Sequence, residues 1–297
     1  MERGGIMNKK NKKQKLILIL IFTVGLSIFL YPIISDAINS RHQTYAVNRY
    51  EEEAAKISQQ EKEKIKEEAQ AFNQSLQVDS LEAGDPFSGE KTEETAVSYI
   101  DMLSLGETLG HIEIPKINVD LPIYRGISEK VLQKGIGYIE QSSLPIGGVN
   151  TNTILTGHRG LPTSKLFTDL DKVEIGDMFY VHTLGDILAY KVIETKVVLP
   201  TDIEKLNIRK GKDLTTLITC TPYMINSHRL LVIGERIPYA AKEGTINAEI
   251  TVESSETIVR SAIASKWMYA AFSIIIMVGT VIFVLMRKKG RLPGGSK

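Results

Sequence analysis

The sequence predicts an all-β domain, a barrel or a sandwich, held outside a membrane between two apolar helices. Three features carry that prediction. From Leu109 onward, short β-rich runs are separated by turn signals; ahead of them lies a charge-dense stretch with helical spacing; and near each end of the chain stands an apolar segment of membrane length.

The elements follow in chain order. Residues 1–15 are a basic leader containing Lys9, Lys10, Lys12, Lys13 and Lys15, and Met7 begins a complete basic leader of its own, so Met1 and Met7 both stand as candidate starts. Leu16 to Ile34 is 19 residues without a formal charge, and Trp267 to Met286 is 20. At about 1.5 Å rise per residue each approaches the roughly 30 Å thickness of bilayer hydrocarbon. The first is longer than the apolar part of a cleavable signal, which favours an uncleaved anchor, although Ser35-Asp36-Ala37 has the look of a cleavage site. Basic residues precede the first span, and Arg287, Lys288, Lys289 and Arg291 follow the second. Both termini are therefore expected in the cytoplasm, with residues 35–266 outside a cell membrane crossed twice.

Residues 35–80 read as a helical stalk. Apolar positions recur at Tyr50, Ala54, Ile57, Ile65, Ala69, Phe72 and Leu76, a stripe too poor for a coiled coil and expected to be a solvated spacer. Residues 81–106 form a turn-rich loop containing Gly84-Asp85-Pro86-Phe87-Ser88-Gly89. The globular domain is expected over 107–240, with β-runs beginning at His111, Thr151, Asp177, Ile187, Leu214 and Arg229. Short helices are expected at Ser128–Lys134, Leu166–Leu170 and Ile203–Leu206. A polar tether (241–266), the second span (267–286) and a basic tail (287–297) complete the chain. Its 36 basic and 35 acidic side chains nearly balance, so no global charge argues for nucleic acid.

Cys220 is the only cysteine. It ends the apolar run Leu214-Thr-Thr-Leu-Ile-Thr-Cys220 and can form no internal disulfide, so it is either a small buried hydrophobe or a nucleophile. A cysteine nucleophile needs an acid/base group and a stabiliser for the developing oxyanion. Among five histidines, His158 alone sits in a glycine-flanked turn directly after a β-run, Thr156-Gly-His-Arg-Gly160. Spacing singles it out without excluding the others. No residue set suggests a metal: the histidines lack HxxxH spacing and there is no second cysteine.

Together, TGHRG, TLITC and Arg229 nine residues after the cysteine resemble the sortase family, membrane-bound cysteine transpeptidases of Gram-positive bacteria. The resemblance spans about residues 80–240 and implies a closed β-barrel with short helices and no cofactor. It implies that Cys220 attacks the threonine carbonyl of an LPXTG-like sorting signal to form a thioester, that His158 moves protons, and that Arg229 binds substrate backbone and oxyanion. Arg159, Thr219 and His228 adjoin the trio as candidate supporting residues, none of them catalytic.

Two features resemble class C, the pilin-polymerising sortases. Asp85-Pro86-Phe87 is similar to a lid motif, which implies that Asp85 approaches Arg229 and that Phe87 covers Cys220, although many lids carry tryptophan there. An apolar segment with a basic tail also follows the domain. The implied partners are pilin subunits bearing an LPXTG-like signal and an acceptor lysine, with the lipid bilayer around the spans and no nucleic acid. A housekeeping or accessory sortase that attaches proteins to the cell wall is the alternative, ahead of a hydrolytic cysteine protease or a non-catalytic membrane-anchored scaffold. The string Leu161-Pro-Thr-Ser-Lys165 lacks a glycine after its threonine and reads as a loop, not as a sorting signal.

Overall fold

Strands form where β-branched and aromatic residues alternate with polar ones. The strand β5 (Met178–Thr183) shows the rule: Phe179, Val181 and Thr183 are buried, and the residues between them are partly exposed. The computed structural model describes residues 4–76, 103–202 and 206–239, and the chain divides into two units, residues 27–239 and residues 1–26 with 240–297.

In the larger unit, eight strands close into a barrel. They are β1 (Thr108–Ile114), β2 (Val119–Arg125), β3 (Ile136–Tyr138), β4 (Thr151–Thr156), β5, β6 (Asp186–Val198), β7 (Asp213–Thr221) and β8 (His228–Ile237). The order around the barrel is β1-β2-β3-β4-β7-β8-β6-β5, and β5 pairs back onto β1. Pairs β2–β3 and β4–β7 are parallel; the others are antiparallel. The expected closed β-barrel is therefore present. The run from His111 to Tyr124 divides in two because Pro115, which cannot donate to a ladder, opens a 3₁₀ turn, and Asn118 takes a left-handed φ of 51°.

Of the expected short helices, the first is α3 (Glu129–Leu132), capped by Ser128, whose Oγ accepts from the Val131 N–H. At Leu166–Leu170 the chain makes turns that lead into a 3₁₀ segment, Leu170–Lys172. Residues 203–205 of the third lie outside the described residues. So do Asp85, Pro86, Phe87, the tether, the second span and the basic tail.

Ahead of the barrel the described residues include the helices α1 (Gly4–Lys56) and α2 (Gln59–Ser75). In the smaller unit the described residues are the start of α1, a basic stretch (4–15) followed by the first part of its apolar segment. Among the described residues this is the one helix long and apolar enough to cross a membrane, with a window of mean hydropathy 2.6.

The later part of α1 and α2 is not a solvated spacer. Val47, Tyr50, Ala54 and Ala69 are buried. The Tyr50 hydroxyl donates to the Leu109 carbonyl at 3.0 Å and accepts from the Leu184 N–H at 2.9 Å. The Asn73 side chain accepts from Leu144 N–H at 2.7 Å and donates to its carbonyl at 3.3 Å. His111 lies between Asp120 on β2, 2.7 Å from its Nδ1, and Glu51 on α1, 3.0 Å from its Nε2. Burial draws the His111 pKa down, but the two carboxylates outweigh it and raise the value to about 9. An apolar stripe predicts a covered face without naming its cover; here the cover is the barrel.

Most buried apolar side chains fill one core that includes Leu109, Ile112, Ile123, Phe179, Tyr190, Leu217 and Val232. A smaller cluster joins Ile139, Ile154, Val198, Leu206, Ile218 and Leu231. Leu217 and Ile218 are consecutive on β7 and belong to different clusters, so this strand is covered on both faces. That explains why its sequence is a nearly unbroken apolar and threonine run.

Candidate active site

Three neighbouring strands bring the candidate residues to one end of the barrel. In the parallel β4–β7 pair Thr156 is the partner of Ile218. The chain continues in step beyond that point: Gly157 N–H donates to the Ile218 carbonyl at 3.1 Å, and Thr219 Oγ1 donates to the Gly157 carbonyl at 2.7 Å. Two residues past the Thr156–Ile218 pair come His158 and Cys220. On the other flank, Cys220 is the antiparallel partner of Arg229. Directly opposed residues send their side chains to the same face of a sheet, so thiol and guanidinium share a face. Ile218 precedes Cys220 by two residues and also shares that face, which makes the smaller apolar cluster the ground beside the thiol.

Cys220 is 7% exposed and Arg229 8%, which puts both at the base of the site, while the His158 side chain keeps 21%. Arg229 Nη1 donates to the carbonyls of Asn226 and His228 at 3.0 Å each, so the β7–β8 loop orients the guanidinium. The His158 carbonyl accepts from Phe167 N–H at 3.2 Å. Its ring nitrogen Nε2 lies 3.4 Å from Oε2 of Glu129, at the start of α3. Sequence reading did not find Glu129. A Ser128 cap followed by an acid signals a helix start, and nothing in it names the neighbour across the fold.

Gly157 is required for packing. A Cβ there would stand 2.7 Å from Ile136 Cδ1 and 3.0 Å from Phe167 Cδ2. Gly160 is required for conformation, with φ +79°, and its Cβ would meet the Tyr223 ring at 3.0 Å.

The candidate supporting residues divide. Thr219 is fully buried and fixes the backbone just before His158. Arg159 fastens the following loop: Nε donates to the Thr168 carbonyl at 3.1 Å and Nη1 to Thr221 Oγ1 at 2.9 Å, and the guanidinium pairs with Asp171. His228 opposes Thr221, and as the neighbour of Arg229 on a strand it projects to the other face of β8. The string 161–165 is the loop expected. Asn39 of α1 donates to the Thr163 carbonyl at 2.8 Å, and Gln43 donates to Ser164 Oγ at 3.0 Å. Of the other histidines, His42 is exposed on α1, and His111 and His182 stack on each other across β1 and β5. A thiol, an imidazole and a guanidinium in this order supply a nucleophile, a proton carrier and a fixed positive charge, the set that acyl transfer needs.

A family model described as Sortase domain matches residues 112–237. The crystal structure of Streptococcus pneumoniae sortase C, which concerns catalysis and pilin substrate specificity in that enzyme, is 48% identical, with a TM-score of 0.60 over 66% of this chain and 97% of that one. Sortase C2 of Group B Streptococcus pilus island 1 is 52% identical, with a TM-score of 0.57 over 61% of this chain and all of that one. Sortase D of Bacillus subtilis is 30% identical over 135 residues, which cover 44% of this chain and 65% of that protein.

Proposed function

Because the chain belongs to the sortase family of cysteine transpeptidases, we propose that it is a membrane-anchored class C enzyme that polymerises pilin subunits. The observation that carries this reading is the strand register that sets Cys220 opposite Arg229 and beside the end of β4 that bears His158. The class is supported by the structural neighbours, sortases C at 48% and 52% identity, against about 30% for the curated sortase D.

In this mechanism an LPXTG-like signal lies along the apolar ground beside β7. The Cys220 sulfur attacks the threonine carbonyl carbon, and the carbonyl electrons move onto oxygen. Arg229, its guanidinium oriented beforehand by the Asn226 and His228 carbonyls, holds that negative charge through its remaining donors. When the tetrahedral intermediate collapses, the bond from threonine to the next residue breaks and His158 protonates the departing amine. A thioester on Cys220 remains. The ε-amine of a lysine on a second pilin then attacks it, His158 accepts the amine proton, and an isopeptide bond forms as the thiolate leaves.

Asp85, Pro86 and Phe87 belong to this reading as a lid over Cys220, on the strength of the sequence resemblance and the class C neighbours. The two apolar segments anchor the chain, with the barrel outside the cell. The test is incubation of the full chain with two pilin domains, one bearing the sorting signal and one the acceptor lysine. Covalent dimers and longer ladders are expected, with an isopeptide bond at the lysine. Hydrolysed monomers alone, or transfer only to a cell-wall precursor amine, would contradict it.

A further inference from the structure

Across the barrel from β7, two histidines of neighbouring strands meet three carboxylates. His111 on β1 and His182 on β5 are register partners, and their rings stack with centroids 4.0 Å apart. Glu51 reaches them from α1, its Oε1 3.0 Å from His111 Nε2. One ligand-capable atom each from Glu51, His111 and His182 lies within 4.8 Å of the other two. Each ring also has a carboxylate at a further contact: Asp120 at 2.7 Å from His111 Nδ1, and Glu113 at 3.3 Å from His182 Nε2. Chain spacing does not reveal this group, because only the β1–β5 pairing and the docking of α1 assemble it.

We propose that Glu51, His111 and His182 bind a divalent transition-metal ion of the zinc class, which fastens α1 to strands β1 and β5. The donor set is two imidazoles and one carboxylate, which suits zinc and its neighbours rather than calcium or magnesium, whose ligands are oxygens. Around a tetrahedral ion with bonds near 2.0–2.1 Å, ligand atoms stand roughly 3.3 Å apart. The Glu51–His111 separation is already close to that, so the required movement is a turn of the two stacked rings toward one point. Asp120 on His111 Nδ1 is the arrangement that orients a metal-binding imidazole and leaves Nε2 for the ion. Charge agrees. Three carboxylates face the two rings, and the charge of Lys62 also acts on Glu51. A divalent ion that displaces the His111 Nε2 proton to solvent, together with Lys62, balances all three. Water completes the fourth position.

The test uses the full chain in detergent micelles with Cys220→Ala, so that the thiol cannot take up metal. Titration calorimetry with zinc should give one ion per chain, and cobalt should give the visible absorption of a tetrahedral site. His111→Ala and His182→Ala should each weaken zinc binding at least about 100-fold, and the near-isosteric Asp120→Asn about 10–100-fold. Because the alanine variants also remove packing, zinc-edge X-ray absorption on the Cys220→Ala chain alone provides a reading that does not depend on their folding; two imidazoles in the shell are expected. Absence of stoichiometric binding, a shell without imidazole, or unchanged affinity in both histidine variants would overturn the proposal and leave α1 held by the Tyr50, Asn39 and Gln43 contacts and the carboxylate–imidazole pairs.

Discussion

Cys220 and Arg229 are cross-strand partners in the β7–β8 pair, both almost fully buried and directed to one face. In the proposed acyl transfer the carbonyl attacked by Cys220 and the guanidinium therefore meet at a fixed spacing. Arg229→Ala should slow thioester formation by about 10²–10³-fold, the usual effect of removing an oxyanion donor. Arg229→Lys should restore only part of that rate, since an ammonium presents a point charge without the planar fork. Single-turnover acylation with a sorting-signal peptide measures both; full activity in the lysine variant would show that charge alone matters.

Gly157 sets the position of His158. A valine there must displace Ile136 and Phe167, at a cost of about 1–3 kcal/mol for overpacking. The acylation rate of Gly157→Val should fall along with the melting temperature, because the backbone that shifts is the one carrying His158. A variant with lowered stability and unchanged acylation would separate the packing from the site.

Tyr50 ties α1 to the barrel through one hydroxyl. Tyr50→Phe keeps the ring and strands the Leu184 N–H and part of the bonding of the Leu109 carbonyl, for a loss of about 1–3 kcal/mol on denaturant unfolding. The m-value should stay constant, since the surface exposed on unfolding hardly changes. No loss of stability would mean that water replaces the hydroxyl.

The lid reading concerns Asp85 and Phe87. Asp85→Ala and Phe87→Ala should each raise the alkylation rate of Cys220 in the full chain, read by mass spectrometry over time. Equal rates in both variants and the parent chain would count against a cover on the thiol.

Much of this architecture is legible in the chain. The six β-runs read from the chain hold seven of the eight strands: β5 shows by its alternation, and β7 stands out because both its faces are buried. The strand β3 escapes notice, since three residues carry no period. The order of the site is legible for a related reason: one residue follows a strand, the next ends a strand, and the third opens its neighbour. What covers Tyr50 and Ala54 is not legible, because a stripe has no address for its partner. Nor are Glu129 beside His158 or the pairing of His111 with His182, contacts that exist only once distant segments have folded together.

The central claim is that Cys220 is the nucleophile of an acyl transfer. It is tested most directly by incubating the full chain with an LPXTG-like peptide and digesting it for mass spectrometry. A peptide containing Cys220 that carries the acyl portion ending in threonine is expected, sensitive to hydroxylamine and absent from His158→Ala at the same time point. An unmodified Cys220 beside a cleaved peptide, or the adduct on another residue, would contradict it.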